Sequence, residues 1–236
     1  MTDESRQNKA TFDAYAAEYD VALARGISVS GEDKSYFARG RIEWLRGCLR
    51  SIEQPFQTVM DYGCGPSSSS ELFFDVLGAS RLIGTDISPK ALEIAKQNSA
   101  SERTHFLLFN EYQPKGEIDL AFCNGVFHHI APRERGAAAD YVYRALRPGG
   151  LFAFWENNPW NPGTRYVMSR IPFDRDSVML TPFEARRLLR SCGFEILRTD
   201  FLFIFPRMLR WFRGIEPHLS RLPLGSQYQV LCRKTD

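Results

Sequence analysis

The chain has 236 residues, 44% of them apolar, with 30 Lys and Arg against 28 Asp and Glu for a net charge of +2. A chain of this size buries roughly 70–75% of its unfolded surface, so a core needs no disulfide or metal staple, and the balanced charge gives no case for a nucleic-acid partner. The polar start MTDESRQNKA does not read as a signal peptide, and the aromatic block Phe201 to Phe205 falls far short of the roughly 20 apolar residues that span a bilayer.

The first fifty residues read as helices, TFDAYAAEYDVALA and KSYFARGRIEWLRGCLRSI, joined by the polar loop GISVSGED. In the second, Tyr36, Phe37, Ile42, Trp44, Leu45 and Leu49 fall near the 3.6-residue period, and Pro55 ends it. We read residues 1–54 as a helical cap on a domain spanning 55–236. From there strand-like runs at 58–62, 81–87, 105–110, 118–125 and 151–156 alternate with helical patterns, which specifies a parallel sheet covered on both faces. After Glu156 the rhythm breaks into a proline-rich stretch, read as a lid over residues 157–182 because ligands sit beyond the carboxyl ends of parallel strands. Its Asn157, Asn158, Trp160, Asn161, Arg165, Tyr166 and Arg170 are a polar and aromatic set suited to clamping a substrate. A helix TPFEARRLLRSCGF then leads to two strands, EILRTDFLFIF and SQYQVLCRK, able to pair antiparallel at the sheet edge.

Charge is uneven: residues 181–236 carry ten Lys and Arg against five Asp and Glu. Within them DFLFIFPRMLRWFRG mixes aromatics with arginines. It reads either as a weak peripheral contact with an anionic membrane or lipid-linked substrate through 201–213, or as a buried strand with a helix packed on the sheet. Cys48, Cys64, Cys123, Cys192 and Cys232 lie far apart without a Cys-x-x-Cys pair, which fits the reducing cytoplasm and argues against a zinc site. No metal is expected.

The best-defined feature is VMDYGCGPSSSSELFF, a strand, a glycine turn and a helix. Gly63 and Gly65 let the backbone turn sharply and approach a ligand. Asp86 follows at the end of the next strand, where an acidic side chain takes a ribose diol; its alternative is to cap the following helix, a role open to Ser88. Together these indicate an adenosine-bearing cofactor. A dinucleotide site usually has a third glycine beneath a pyrophosphate, but Ser68 stands there, and Asp61 before the turn repels a pyrophosphate while suiting an ammonium.

Five blocks in order, VMDYGCGPS, LIGTDIS, FLLFNEYQP, IDLAFCNGVFHHI and YRALRPGGLFAFWE, resemble the class I S-adenosylmethionine-dependent methyltransferases, in particular the small-molecule enzymes of the type 11/12 group. The resemblance implies a Rossmann-like, doubly wound α/β fold with a seven-stranded sheet, six strands parallel and one antiparallel at the edge. It implies S-adenosyl-L-methionine as cofactor and S-adenosyl-L-homocysteine as product. Asp61, Gly63 and Gly65 would then line the methionine part, Asp86 the ribose, Ile87 the adenine face, and Asn110, beside Glu111, the adenine amine in place of the family's usual Asp. Asn124 would lie at the methionine end, and Ser67 replaces the third glycine of the turn. Tyr15 or Tyr19 could close the pocket or simply pack, and Arg41 could hold the cofactor carboxylate or lie solvated.

The sulfonium methyl is already activated, so the protein has mainly to align an acceptor and handle its proton. His128 and His129 are the candidate general bases, either one facing the substrate and the other structural. Glu156 could orient a histidine, accept an amine proton or cap the next segment. The expected function is methyl transfer to a small-molecule, glycan or lipid-linked acceptor at oxygen. A NAD(P)-dependent oxidoreductase and a non-catalytic cofactor-binding relative remain as alternatives. The stretch NGVF after the fourth strand lacks the N/D-P-P-Y/F motif of DNA methylation, and no Asp/Asn cluster for a metal-dependent catechol mechanism is recognisable.

Overall fold

A computed structural model describes residues 13, 19–50, 52, 56–67, 69–99, 101–175 and 177–235, with the side chains of 19 and 20 left out. The strands β1 (Thr58–Tyr62), β2 (Arg81–Asp86), β3 (Thr104–Leu108), β4 (Ile118–Asn124), β5 (Leu146–Asn157), β6 (Phe194–Leu202) and β7 (Gln227–Lys234) form one sheet in the order β3-β2-β1-β4-β5-β7-β6. β1 to β5 pair in parallel, and β7 runs antiparallel to both β5 and β6, between them. Six strands therefore run one way and one the other, as the resemblance implies, with the antiparallel β7 one place in from the edge and β6 outside it.

Strand periodicity divides the core into two layers. Along β5, Leu151, Ala153 and Trp155 face one layer while Phe152 and Phe154 face the other. Leu120 and Phe122 alternate with Ala121 and Cys123 along β4 in the same way. Helices α2 (Lys34–Leu49) and α3 (Ser70–Asp75) cover the first layer through Ile42, Leu45 and Phe73. Helices α5 (Arg135–Ala145) and α7 (Pro182–Ser191) cover the second through Ala139, Val142, Ala185 and Leu189. Helix α4 (Pro89–Asn98) seats Leu92 and Ala95 on Phe106. Each fully buried Phe or Leu contributes roughly 1.5–3 kcal/mol, so these alternating stripes fix the register that brings the strand ends together.

Local chemistry sets the helix starts. Ser88 caps α4, accepting the Ala91 N–H at 3.1 Å, with Pro89 at the first position. Thr181 and Glu184 form a reciprocal capping box on α7. The first helical run is described as α1 (Tyr19–Ile27), followed by a short 3-10 turn over Ser28–Ser30. The lid stretch contains a helix, α6 (Pro162–Arg170), although its periodicity in the sequence is weak; Asn161 caps it. The connection before β7 holds a 3-10 helix over Arg207–Ile215 and a short α8 (Glu216–Leu219). No residue of Arg207–Ile215 is buried, which corrects the reading of that segment as a helix packed on the sheet. Among the described residues no helix is long and apolar enough to cross a membrane.

Candidate active site

The carboxyl ends of β1, β2, β4 and β5 meet at one edge of the sheet, where a doubly wound fold places its ligands. After β1 the chain doubles back on β2: the N–H groups of Gly63 and Cys64 donate to the Thr85 carbonyl at 2.8 and 3.1 Å. Gly63 has φ +73°, and a Cβ there would sit 2.3 Å from Val126 Cγ2, so only glycine fits. Ser67, standing in for the family's third glycine, itself adopts φ 58°. Its hydroxyl contacts that of Ser70, and its N–H donates to the Cys64 carbonyl.

Two carboxylates flank this turn. Asp86 is buried and accepts the N–H groups of Gly65 and Ser88, each at 2.9 Å. Because Ser88 is the helix cap, Asp86 is not needed for that role. Burial raises its pKa against the pull of those N–H groups. Asp61 is buried one strand away and is pushed up to about 7, chiefly by burial and then by the Asp86 charge, with Arg41 opposing.

S-adenosylmethionine carries a sulfonium and an ammonium, and three features of the edge fit it. Paired buried carboxylates favour cations and repel a pyrophosphate. A Cβ at Gly65 (φ +52°) would meet nothing within 4 Å, so open space lies against that backbone. Asn124 Oδ1, at the end of β4, is buried without a hydrogen-bond partner, an acceptor that a bound amine or hydroxyl would satisfy.

The other expected residues scatter. Ile87 is half-buried after β2, while Asn110 and Glu111 are exposed in the turn after β3. The Glu111 carboxylate accepts the Leu108 N–H at 2.9 Å. Arg41 is buried rather than solvated and donates to Gln227 Oε1 at 2.9 Å. Tyr15 and the side chain of Tyr19 lie outside the described residues.

Beyond Asn124 a cavity of about 350 Å³ opens between α1, α2, the lid helix α6 and the segment after β6. The stretch after β5 lines it with apolar Val167, Met168, Ile171 and Phe173 and with polar Asn157, Asn161, Thr164 and Asp174. Other residues of that stretch turn elsewhere. Asn158 is fully buried and donates to the Pro223 and Gly225 carbonyls, whereas Arg165, Tyr166 and Arg170 are exposed. Of the set read as a clamp, Asn157 and Asn161 line the cavity, while Arg165, Tyr166 and Arg170 lie on its outer side. Phe203 lines the opposite wall at φ 62°, a left-handed conformation rare for a bulky residue, and its ring packs against Tyr36 and Phe37.

At the cavity floor a short 3-10 turn, Phe127–His129, presents both histidines. Glu156, at the end of β5, is buried and accepts the N–H groups of Phe127 at 2.7 Å and His128 at 3.3 Å through one oxygen. Its other oxygen is 2.6 Å from His128 Nδ1. His128 Nε2 and His129 Nε2 both approach Asp174 Oδ1, at 3.4 and 3.2 Å. Burial opposes a charge on His128, but Glu156 and Asp174 outweigh it and raise its pKa. Burial and the neighbouring His128 lower that of His129. Asp174 had no mark in the sequence: it is an ordinary acid in PFDRD, 46 residues from His128, and only tertiary packing of the lid brings it in.

Comparison with known proteins agrees with this geometry. The profile of a methyltransferase domain matches residues 59–150. The ribosomal protein L11 methyltransferase of Burkholderia orbicola is 32% identical over 145 residues, 60% of this chain and 42% of that protein. The chain therefore spans less than half the length of the curated relatives it matches. A methyltransferase solved in complex with the Trm112 activator of Haloferax volcanii superposes with a TM-score of 0.67 at 18% identity, over 95% of this chain and 98% of that one. An S-adenosylmethionine-dependent methyltransferase of Thermotoga maritima does so with 0.64 at 19%, over 97% and 100%. Residues 59–150 thus match a methyltransferase domain, and the sheet that carries them has the fold of the S-adenosylmethionine-dependent methyltransferases on which it superposes.

Proposed function

We propose that the chain transfers the methyl group of S-adenosylmethionine to an oxygen of an acceptor held in the lidded cavity. The observation that carries this reading is the adjacency of Asn124, at the end of β4, to His128, His129 and the stretch after β5 around one cavity. When bound, the cofactor supplies an electrophilic methyl carbon, so the chain's own work is to bind, align and exclude water. Asp61 and Arg41 take the amino and carboxylate ends of the methionine portion, and Asp86 the ribose hydroxyls. Ile87 covers the adenine, Asn110 accepts from its amine, and Tyr15 or Tyr19 closes over the cofactor. His128 and His129, held by Asp174 and Glu156, meet the acceptor oxygen in the cavity. A cavity of about 350 Å³ lies in the roughly 300–1,000 Å³ range of small-molecule sites, which favours a compact acceptor or the end of a lipid- or glycan-linked one over a folded protein.

Lipid linkage has its own support. Met208 and Trp211 are 74% and 70% exposed, interleaved with the exposed Arg207 and Arg210, beside Phe205 and Pro206 of the cavity wall, while Arg213 turns inward to Glu32. This face suits a weak peripheral contact with an anionic membrane. The five free cysteines fit a cytoplasmic setting. A protein acceptor is the second reading, favoured by relatives named for ribosomal protein L11. Methyl-labelled cofactor incubated with hydroxylated small molecules, lipid extracts and ribosomal protein separates the two. Label in a small hydroxylated or lipid product, lost in Asp86→Asn, supports the proposal; label only in protein refutes the acceptor class.

A further inference from the structure

At the cavity floor two imidazoles converge on one carboxylate oxygen. Charge-assisted N–H to carboxylate bonds are usually ~2.7–2.9 Å, as His128 Nδ1 to Glu156 is at 2.6 Å. The two contacts to Asp174 are longer, 3.4 Å from His128 Nε2 and 3.2 Å from His129 Nε2, and both converge on the same oxygen. Two ligands bonded at ~2.0–2.1 Å to one tetrahedral cation stand about 3.3–3.4 Å apart, and about 2.9–3.0 Å apart at a right angle. One atom of each residue lies within 4.8 Å of the other two, the imidazole rings are 4.0 Å apart between centroids, and all three residues line the cavity.

Behind them stands the outer partner such a centre needs. Glu156 is buried and fixed by two backbone N–H groups, so it only accepts from His128 Nδ1. That contact sets the tautomer and turns Nε2 toward the cluster, the carboxylate–histidine arrangement that orients a metal-bound imidazole. The backbone carbonyl of His128 accepts the Val178 N–H at 3.0 Å, tying the turn to the segment after the lid. The spacing of the cysteines pointed away from a metal, but these ligands are imidazoles and a carboxylate.

We propose that His128 Nε2, His129 Nε2 and Asp174 Oδ1 bind one divalent first-row transition cation, of the zinc or cobalt class, in the wall of the acceptor cavity. Two nitrogens and one carboxylate select such ions over magnesium or calcium, which take all-oxygen sets. Three protein ligands leave positions open toward the cavity, where an acceptor oxygen completes the coordination and is held in place for transfer. This role rests on the reading of the cavity as the acceptor site; the cation site itself does not.

The test uses the full chain, stripped with chelator and titrated with Co²⁺. Visible absorption reports coordination, and metal per chain is measured after dialysis. The expected result is one Co²⁺ per chain, displaced by Zn²⁺, with affinity about tenfold or more weaker in His129→Gln and in Asp174→Asn and unchanged in His218→Gln. Cooperative thermal unfolding checks that each variant folds; if Asp174→Asn does not, His129→Gln carries the test. No stoichiometric cobalt in the wild type, or equal binding by a folded His129→Gln, overturns the proposal. Failure of the methyltransferase reading would show separately, as no thermal shift with S-adenosylmethionine in a chain that still binds cobalt.

Discussion

Replacing Asp61 by Asn should make the cofactor-free protein less sensitive to pH, because a buried carboxyl beside Asp86 ionises at a cost. At ~1.36 kcal/mol per unit of pKa, the rise from 3.8 to about 7 corresponds to on the order of 4 kcal/mol, an upper bound that relaxation around the site reduces. The folded state holds this proton more tightly than the unfolded chain, so its stabilisation is complete below pH ~4 and is lost as pH rises through about 7. Denaturant unfolding of both proteins from pH 5 to pH 8.5 reads the effect as a difference, in which groups away from Asp61 and its neighbour Asp86 cancel. The wild type should lose ~2–4 kcal/mol more than Asp61→Asn over that interval. S-adenosylmethionine should restore most of the loss in the wild type alone, because its cationic end pairs with the ionised carboxylate. Parallel pH dependences in the two proteins would refute the argument.

Two glycines of α2 form a matched pair. A Cβ at Gly47 meets nothing within 4 Å, whereas one at Gly40 lies 2.7 Å from Phe203 Cε1. Gly47→Ala should therefore raise stability by ~0.5–1 kcal/mol, while Gly40→Ala, which also displaces a ring already at positive φ, should cost ~1–3 kcal/mol of overpacking that exceeds the helix gain; thermal melts of both decide it. Asn158→Ala removes both donors to the Pro223 and Gly225 carbonyls and should cost ~1–3 kcal/mol in urea unfolding. Trp211→Ala with Arg210→Ala should reduce binding to vesicles containing anionic lipid, leave stability within about 0.5 kcal/mol because neither side chain is buried, and leave cofactor binding unchanged.

The sheet was legible in the sequence because its central strands are buried on both faces. Runs such as LFAFWE have few polar residues and are bounded by glycine or proline turns, so TVMDY stands at Thr58–Tyr62 as read. The turn after β1 was legible for a related reason: Asp61, Gly63 and Asp86 lie at strand ends close in sequence. The lid was not. Helix α6 packs Met168 into the protein from a stretch whose neighbours are mostly polar and exposed, so its period is faint, although Asn161 and Pro162 supplied an ordinary start signal. Asp174 was illegible because its partners are set by tertiary packing alone, and which members of the polar and aromatic set face the cavity was illegible because side-chain type says little about which way a loop residue turns.

The central claim is that the paired carboxylates and the glycine turn hold S-adenosylmethionine. Thermal unfolding with S-adenosylmethionine, S-adenosylhomocysteine, NAD and NADP in parallel tests it most directly, since a ligand at 100 times its Kd stabilises by roughly 2.7 kcal/mol. Stabilisation by the two adenosyl compounds alone, abolished in Asp86→Asn, is the predicted result. A shift with NAD alone, or with none of the four, would contradict it.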